Sequence, residues 1–201
     1  MSLLFETIML QDGVLMNLEY HNFRLNRSRE ELLGEKDQLL LENQIVVPSD
    51  CKTGIYKCKV SYSSSINEIE IIPYQKRVIK SLMIVEENTI SYSHKYSDRL
   101  HLIELMNLRG DCDDILIVKD GYITDTSFSN IVFLNGDKWV TPARPLLRGT
   151  MRESLLKRNQ IGEENITFDD LKKFKEARLI NAMLPLETGI AIRLENIRYQ
   201  R

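Results

Sequence analysis

Two Xaa-Gly dipeptides in the second half of the chain, Asp120-Gly121 and Asn135-Gly136, stand between short runs of β-branched and aromatic residues. Such pairs supply the positive φ that a two-residue hairpin turn needs, so they commit this half to antiparallel strands, 115–118 with 122–126 and 131–134 with 139–141. Helices are expected there from Gly149 or Thr150 to about Arg158 and over 169–175, with further strands at 177–181 and 189–192. The first half mixes element types. After an Asp12-Gly13 turn, Asn17 can cap a helix that runs to the Gly34 stop, with Leu18, Leu25 and Leu32 seven residues apart near one face. A short helix over 38–44 precedes strands at 55–62, 66–72 and 78–85, with Ser63-Ser64-Ser65 as a turn. The polar stretch 87–97 is expected to divide a 1–90 α+β domain from a strand-rich 91–201 domain, with Ser97 capping a helix that ends before Gly110.

Composition narrows the class of protein. The 201 residues, 43% hydrophobic and 28% charged, can bury a sizeable core and are too apolar for a disordered chain. A net charge of −2, with no run of five or six like charges, excludes a general nucleic-acid or polyanion binder. Cys51, Cys58 and Cys112 form neither pairs nor a CxxC and read as free thiols of a reducing compartment. The start shows no basic segment leading into an apolar one, and nowhere do 18 apolar residues run together, so a cytoplasmic protein with no membrane partner is expected.

Four places could carry chemistry. Lys95, in Ser93-His94-Lys95-Tyr96-Ser97-Asp98-Arg99, precedes an expected helix start, where the helix dipole and Arg99 both favour loss of its proton. That suits an amine nucleophile, while a surface loop lysine is the plainer reading. Arg24 has Tyr20, His21, Arg27 and Ser28 as its helical neighbours and thus no carboxylate within helical reach; it could bind an anion such as phosphate or pair through the tertiary fold. The stretch Thr141-Pro142 to Met151-Arg152 passes from a strand through a Pro-rich turn into a helix. Gly149 there permits close approach, and the Thr150 and Met151 amides could cup a phosphate, as many helix starts do without binding anything. Asp125 leaves a strand among hydroxyl and amide side chains, as a directed carboxylate or a turn cap would. His21, His94 and His101 show no metal-ligand spacing, and GxGxxG, GxxxxGK[ST] and GxSxG motifs are absent.

Taken in order, Phe5-Glu6-Thr7-Ile8 with Asp12-Gly13, His21-Asn22-Phe23-Arg24-Leu25, Lys95 with Asp98-Arg99, Asp120-Gly121 through Asn130, Thr141-Pro142, Gly149-Thr150-Met151-Arg152 and Asn181-Ala182-Met183-Leu184-Pro185 resemble the class IV, or fold type IV, pyridoxal-phosphate enzymes. That family includes branched-chain and D-amino-acid aminotransferases and aminodeoxychorismate lyase. The resemblance covers nearly the whole chain. It implies an α+β, two-domain fold, with a small N-terminal α/β sandwich and a strand-rich, barrel-like C-terminal domain carrying the lysine, assembled as a homodimer.

The resemblance also implies roles. Lys95 would form the Schiff base with pyridoxal 5′-phosphate and then move protons. Arg24, the Gly149-Thr150-Met151 segment and Asn181 would hold the phosphate, and Asp125 would face the pyridine nitrogen. Asn181, Ala182, Arg148 and Thr7 would contact substrate, with Arg144 a further candidate. Asp125 stands where the family usually has Glu, and Asp98 where it often has Asn; the chain also begins almost at Phe5, without the segment that commonly precedes it. The last two segments most resemble the lyase branch, which releases pyruvate and 4-aminobenzoate from 4-amino-4-deoxychorismate. An amino-acid aminotransferase is the alternative, and a catalytically degraded member of the fold is a second one, on account of Asp98 and Asp125.

Overall fold

The computed structural model describes residues 3–199. The chain divides into two units, one comprising the residues up to Lys76 together with His94–Asp98, the other Arg77–Ser93 together with the chain from Arg99 onward.

The first unit contains strands β1 (Leu4–Gln11) and β2 (Val14–Leu15), helix α1 (Leu18–Leu33), and strands β3 (Ile55–Tyr62) and β4 (Ile66–Pro73). The strands form an antiparallel sheet in the order β2-β1-β3-β4. Asp12 and Gly13 both adopt positive φ, 49° and 81°, the signature of a I′ turn between β1 and β2. Along β1 the period of two buries Leu4, Glu6, Ile8 and Leu10. Leu4 and Ile8 pack with Leu25, Leu41, Cys58, Val60 and Tyr62.

Helix α1 departs from the expected leucine stripe. Leu25 is fully buried but Leu32 is exposed, and the other buried positions are His21, Arg24, Asn26, Ser28 and Arg29. A helix face this polar needs tertiary partners for its side chains. Asn17 stands at the N-cap position in a left-handed conformation and makes no side-chain cap, whereas Gly34 closes the helix as expected, at φ 73°. The helix expected over 38–44 is a single 3-10 turn, Leu41–Asn43.

Because β2 pairs only with Leu10 and Gln11, the other end of that edge of β1 needs a different partner. The segment His94–Asp98 supplies it: Leu4 and Tyr96 form an antiparallel bridge, Phe5 N donates to the Lys95 carbonyl at 3.0 Å, and Ser97 N donates to the Leu3 carbonyl at 2.9 Å. Lys95 therefore belongs to the first unit, not to a domain starting at residue 91.

The second unit holds β5 (Leu82–Glu86), α2 (Leu100–Met106), β6 (Asp114–Lys119), β7 (Tyr122–Thr126), β8 (Asn130–Asn135), β9 (Lys138–Pro142), α3 (Thr150–Lys157), β10 (Ile161–Glu164), β11 (Ala177–Ile180), β12 (Ile190–Ile192) and β13 (Ile197–Tyr199). They make two sheets, β13-β5-β6-β7 and β10-β9-β8-β11-β12. Both contribute to one core, in which Phe133 and Phe174 stack with ring centres 4.9 Å apart.

Both expected hairpins form. Asp120 and Gly121 have φ of 51° and 80°, but at the other turn Asn135 pairs with Lys138, so the central residues are Gly136, at φ 66°, and Asp137. Hairpins are not the whole of this unit. β5 lies parallel to β6 across α2, and β9 lies parallel to β10 across α3. Ile115 and Ile117 on β6 pack with Leu102 and Leu105 of α2, while Leu116 and Val118 enter the shared core, and this burial of both faces suits a parallel neighbour.

The boundary expected near residue 90 moves because the pairing of β5 with β6 places Arg77–Ser93 in this unit. The strand expected from Val78 begins only at Leu82, and Val78 is exposed. The helix expected over 169–175 is a 3-10 turn, Asp169–Lys173, and β10 and β13 were not anticipated. Arg99, not Ser97, stands at the N-cap position of α2. The three cysteines are free and buried. Among the described residues no helix is long and apolar enough to cross a membrane, and no group of His, Cys, Asp and Glu could hold a metal ion.

Candidate active site

In the first unit two buried polar side chains of α1, His21 and Arg24, meet one carboxylate. Glu6, fully buried on β1, accepts from Arg24 Nε at 2.8 Å through Oε1 and from Arg24 Nη2 at 2.5 Å through Oε2, and His21 Nδ1 lies 2.6 Å from the same Oε2. His21 and Arg24 are three residues apart, so one helical face delivers both. Burial by itself would raise the Glu6 carboxyl, but the Arg24 charge and the hydrogen bonds from Arg24 and His21 outweigh it and hold the pKa at about 2. An ionised Glu6 fixes the proton on His21 Nδ1. Burial, opposed by Glu6 and reinforced by Arg24 and Lys95, lowers the His21 pKa.

The sequence reading left Arg24 without a carboxylate in helical reach; the partner comes from β1. Glu6 itself was passed over as a site residue. The signal was available, since a Glu in phase with Leu4, Ile8 and Leu10 on a strand must be buried and so must find a cation.

Lys95 is half-buried, with Nζ 4.7 Å from the centre of the Phe5 ring. Its backbone is anchored to β1, and its neighbours are tied down as well: His94 Nε2 lies 2.8 Å from Glu31 Oε2 on α1, and Tyr96 packs edge-on against His94. Thr7, half-buried, lies two residues beyond Phe5 on β1. Asp98 is exposed.

In the second unit the structure brings Asp125 and Gly149 together through a residue the sequence reading did not single out. Asp125 ends β7 as a buried carboxylate; Oδ1 accepts from Asn130 Nδ2 at 2.8 Å and Oδ2 from Leu147 N at 2.9 Å. Burial dominates its electrostatics and lifts the pKa to about 6, against the Leu147 and Asn130 hydrogen bonds and the Arg152 charge. Asn130 Nδ2 also donates to the Leu147 carbonyl at 2.9 Å. A Cβ on residue 149 would stand 2.1 Å from Asn130 Oδ1, so the close approach that needs glycine is made by this side chain. Gly149 occupies the N-cap position of α3, which has no side-chain cap, and Thr150 and Met151 behind it are buried. Arg152, also buried, donates to the Pro142 carbonyl and to Glu163 and Glu153.

Asn181 closes a tight turn with Leu184, accepts from Met183 N at 2.8 Å, and donates to the Phe128 carbonyl at 3.4 Å; Ala182 in that turn is half-buried. Arg144 and Arg148 are exposed, the Arg144 guanidinium lying 4.3 Å from the centre of the Tyr122 ring. The chain thus offers a primary amine, a buried guanidinium, a buried carboxyl and an uncapped helix N-terminus, the groups suited to an aldehyde, a phosphate and a basic ring nitrogen.

Comparison with known proteins agrees with that inventory. The family model for class IV aminotransferases matches residues 58–187. An uncharacterised protein of Haemophilus influenzae is 37% identical over 182 residues, 90% of this chain and 97% of its own length. A Schizosaccharomyces pombe protein provisionally named aminodeoxychorismate lyase is 28% identical, across 94% of this chain and 89% of that one. A Haemophilus somnus crystal structure, provisionally named 4-amino-4-deoxychorismate lyase, aligns with a TM-score of 0.87 at 34% identity, covering 92% of this chain and 98% of that one. A hypothetical aminotransferase of Mycobacterium tuberculosis in its pyridoxal-phosphate-bound form aligns with a TM-score of 0.78 at 16% identity, covering 99% and 84%, a likeness of fold.

Proposed function

The chain belongs to the class IV aminotransferase family, and on that premise we propose that this pyridoxal-phosphate-dependent enzyme is a 4-amino-4-deoxychorismate lyase, releasing 4-aminobenzoate and pyruvate. The observation that carries the lyase reading is the 34% identity, over 92% of the chain, to the Haemophilus somnus protein of that provisional name. The same proposal takes the enzyme to be a cytoplasmic homodimer that serves folate biosynthesis.

The residues fit the cofactor by their chemistry. Asp125 accepts from Asn130 Nδ2 and Leu147 N, and since a carboxylate offers about four lone-pair sites, acceptor capacity is left for the N–H of a protonated ring nitrogen. A cation opposite would in turn draw Asp125 down from about 6 and keep it ionised. When bound, pyridoxal phosphate supplies an electron sink for the pair released as a bond to the substrate's amino-bearing carbon breaks.

The chain's own groups do the rest. Asp125 would hold a proton on the ring nitrogen, from one methylene nearer the backbone than the family's usual Glu. Lys95, through its amine, takes the proton from the amino-bearing carbon and later returns one. Arg24 and the first-turn amides of α3 at Thr150 and Met151 hold the phosphate, with Gly149 and Asn181 shaping that end. Arg148 and Arg144 meet the substrate's two carboxylates, and Asn181, Ala182 and Thr7 complete the contacts.

The test pairs two assays on the purified full chain. Supplied with 4-amino-4-deoxychorismate it should form 4-aminobenzoate and pyruvate in equal amounts, and amino acids with 2-oxoglutarate should give no transamination. Lys95→Ala should give no product in either. Transamination without 4-aminobenzoate would refute the lyase assignment, and a fully active Lys95→Ala variant would refute the mechanism.

A further inference from the structure

We propose that Glu6 and His21 are positioning residues that fix the plane of the Arg24 guanidinium for the cofactor phosphate; the inference rests on the reading of Arg24 given above. Glu6 takes Arg24 Nε on one oxygen and Nη2 on the other, at 2.8 and 2.5 Å. Two N–H···O bonds from one planar fork to one carboxylate are satisfied together in a single relative orientation, so the carboxylate plane dictates where the remaining edge of the guanidinium points. The carboxylate is itself prevented from turning. His21 Nδ1 sits 2.6 Å from Oε2, and its ring, fully buried, has no room to swing. The brace and the arginine share one face of α1, while the carboxylate belongs to β1, so the aim of Arg24 is set by the docking of helix on sheet rather than by a flexible side chain.

Stability alone is a poor reason for this cluster. Leu4, Ile8, Leu25, Cys58, Val60 and Tyr62 form the core of the same unit, and apolar residues in place of Glu6, His21 and Arg24 together would extend that packing. Replacing a buried ion pair by well-packed apolar residues is often neutral or stabilising. A carboxylate at a fully buried strand position is better accounted for by the orientation it imposes on its partner.

The test separates the phosphate from the rest of the cofactor. The full chain, freed of cofactor, is titrated with pyridoxal phosphate and with pyridoxal, which has the aldehyde and ring but no phosphate, following the absorbance of the lysine adduct. Glu6→Gln should weaken pyridoxal phosphate by about 10- to 100-fold, the range for losing a hydrogen bond to a charged group, and change pyridoxal by less than about twofold. Adding Glu6→Gln to Arg24→Met should cost little more than Arg24→Met alone, since Glu6 acts on the phosphate only through that guanidinium. If Glu6→Gln fails to fold, His21→Phe removes only the brace and should still weaken pyridoxal phosphate selectively, by about 3- to 10-fold. Equal losses for both ligands, or no loss for either, would overturn the proposal. A wild-type chain that forms no lysine adduct with either ligand would instead sink the parent reading of Lys95 and Arg24, an outcome plainly different from a loss of selectivity.

Discussion

Gly149→Ala should set the new methyl against the side chain of Asn130 and loosen its hold on Asp125. The backbone there, at φ −69° and ψ 143°, is open to any residue, so alanine brings no conformational penalty of its own. Its Cβ, however, would stand 2.1 Å from Asn130 Oδ1 and 3.2 Å from Asn130 Cγ. Since Cβ contacts below 3.0 Å are essentially never seen, the carboxamide must retreat by about 1 Å. That retreat stretches both bonds from Asn130 Nδ2, at 2.8 Å to Asp125 and 2.9 Å to the Leu147 carbonyl. Losing a bond to a charged acceptor costs about 1.5–3 kcal/mol and a neutral one about 1 kcal/mol, so the variant should be less stable by about 3 kcal/mol in urea denaturation. The Asp125 carboxyl, deprived of a bond that favours its ionised form, should titrate above its present value of about 6. A double-mutant cycle decides the cause. With Asn130→Ala already in place, Gly149→Ala should cost close to nothing, because the atom it strikes is gone. If alanine at 149 is as damaging in that background as in the wild type, the clash with Asn130 is not the reason for the glycine.

Three further outcomes can be checked on the cofactor-free chain. The raised pKa of Asp125, about 6 against an ordinary aspartate value of 3.8, means the folded state holds this proton more tightly than the unfolded one; its stabilising effect is complete below about pH 4 and fades as pH rises through 6, by about 3 kcal/mol. Asp125→Asn should abolish that fall in a series of urea midpoints between pH 4 and 7, and an unchanged slope would contradict it. Glu6 works in the opposite sense: with its pKa lowered from 4.5 to about 2, its contribution is present above pH 4.5 and lost as pH falls toward 2, so Glu6→Gln should flatten the acid limb of the same series. Gly189→Ala would set a Cβ 2.8 Å from the Leu179 carbonyl and 3.3 Å from that of Pro185, backbone atoms that cannot step aside, and should cost about 1–3 kcal/mol by thermal or chemical denaturation; a neutral variant would show that the turn yields freely.

What could be read in the sequence divides along the range of the forces involved. The Asp120-Gly121 hairpin and the Gly34 helix stop are set by one or two residues and were legible from them, to within the one-residue shift that moves the second turn onto Gly136-Asp137. The parallel pairs were not, because parallel strands are joined through a helix and their short apolar runs carry no turn signal between them. At the candidate site Lys95, Arg24 and Asp125 stood out as single residues, but their partners did not. Glu6 reaches Arg24 from 18 residues away, and Asn130 is linked to Gly149 only by the fold. Helical spacing gave Arg24 no carboxylate, and only the burial phase of β1 could have supplied one.

The return of His94–Asp98 to the edge of β1 means that neither unit is a continuous stretch of chain, for the backbone passes between them at 76–77, 93–94 and 98–99. Cutting the gene after residue 76 or 90 would therefore not liberate a self-sufficient fragment: the backbone groups of Leu3 and Phe5 would lose their partners, and Lys95 would be severed from the sheet that carries it. Inserting a tag or splitting the protein into complementing halves should be attempted at the surface hairpin of Gly136 and Asp137, which lies far along the chain from all three crossings.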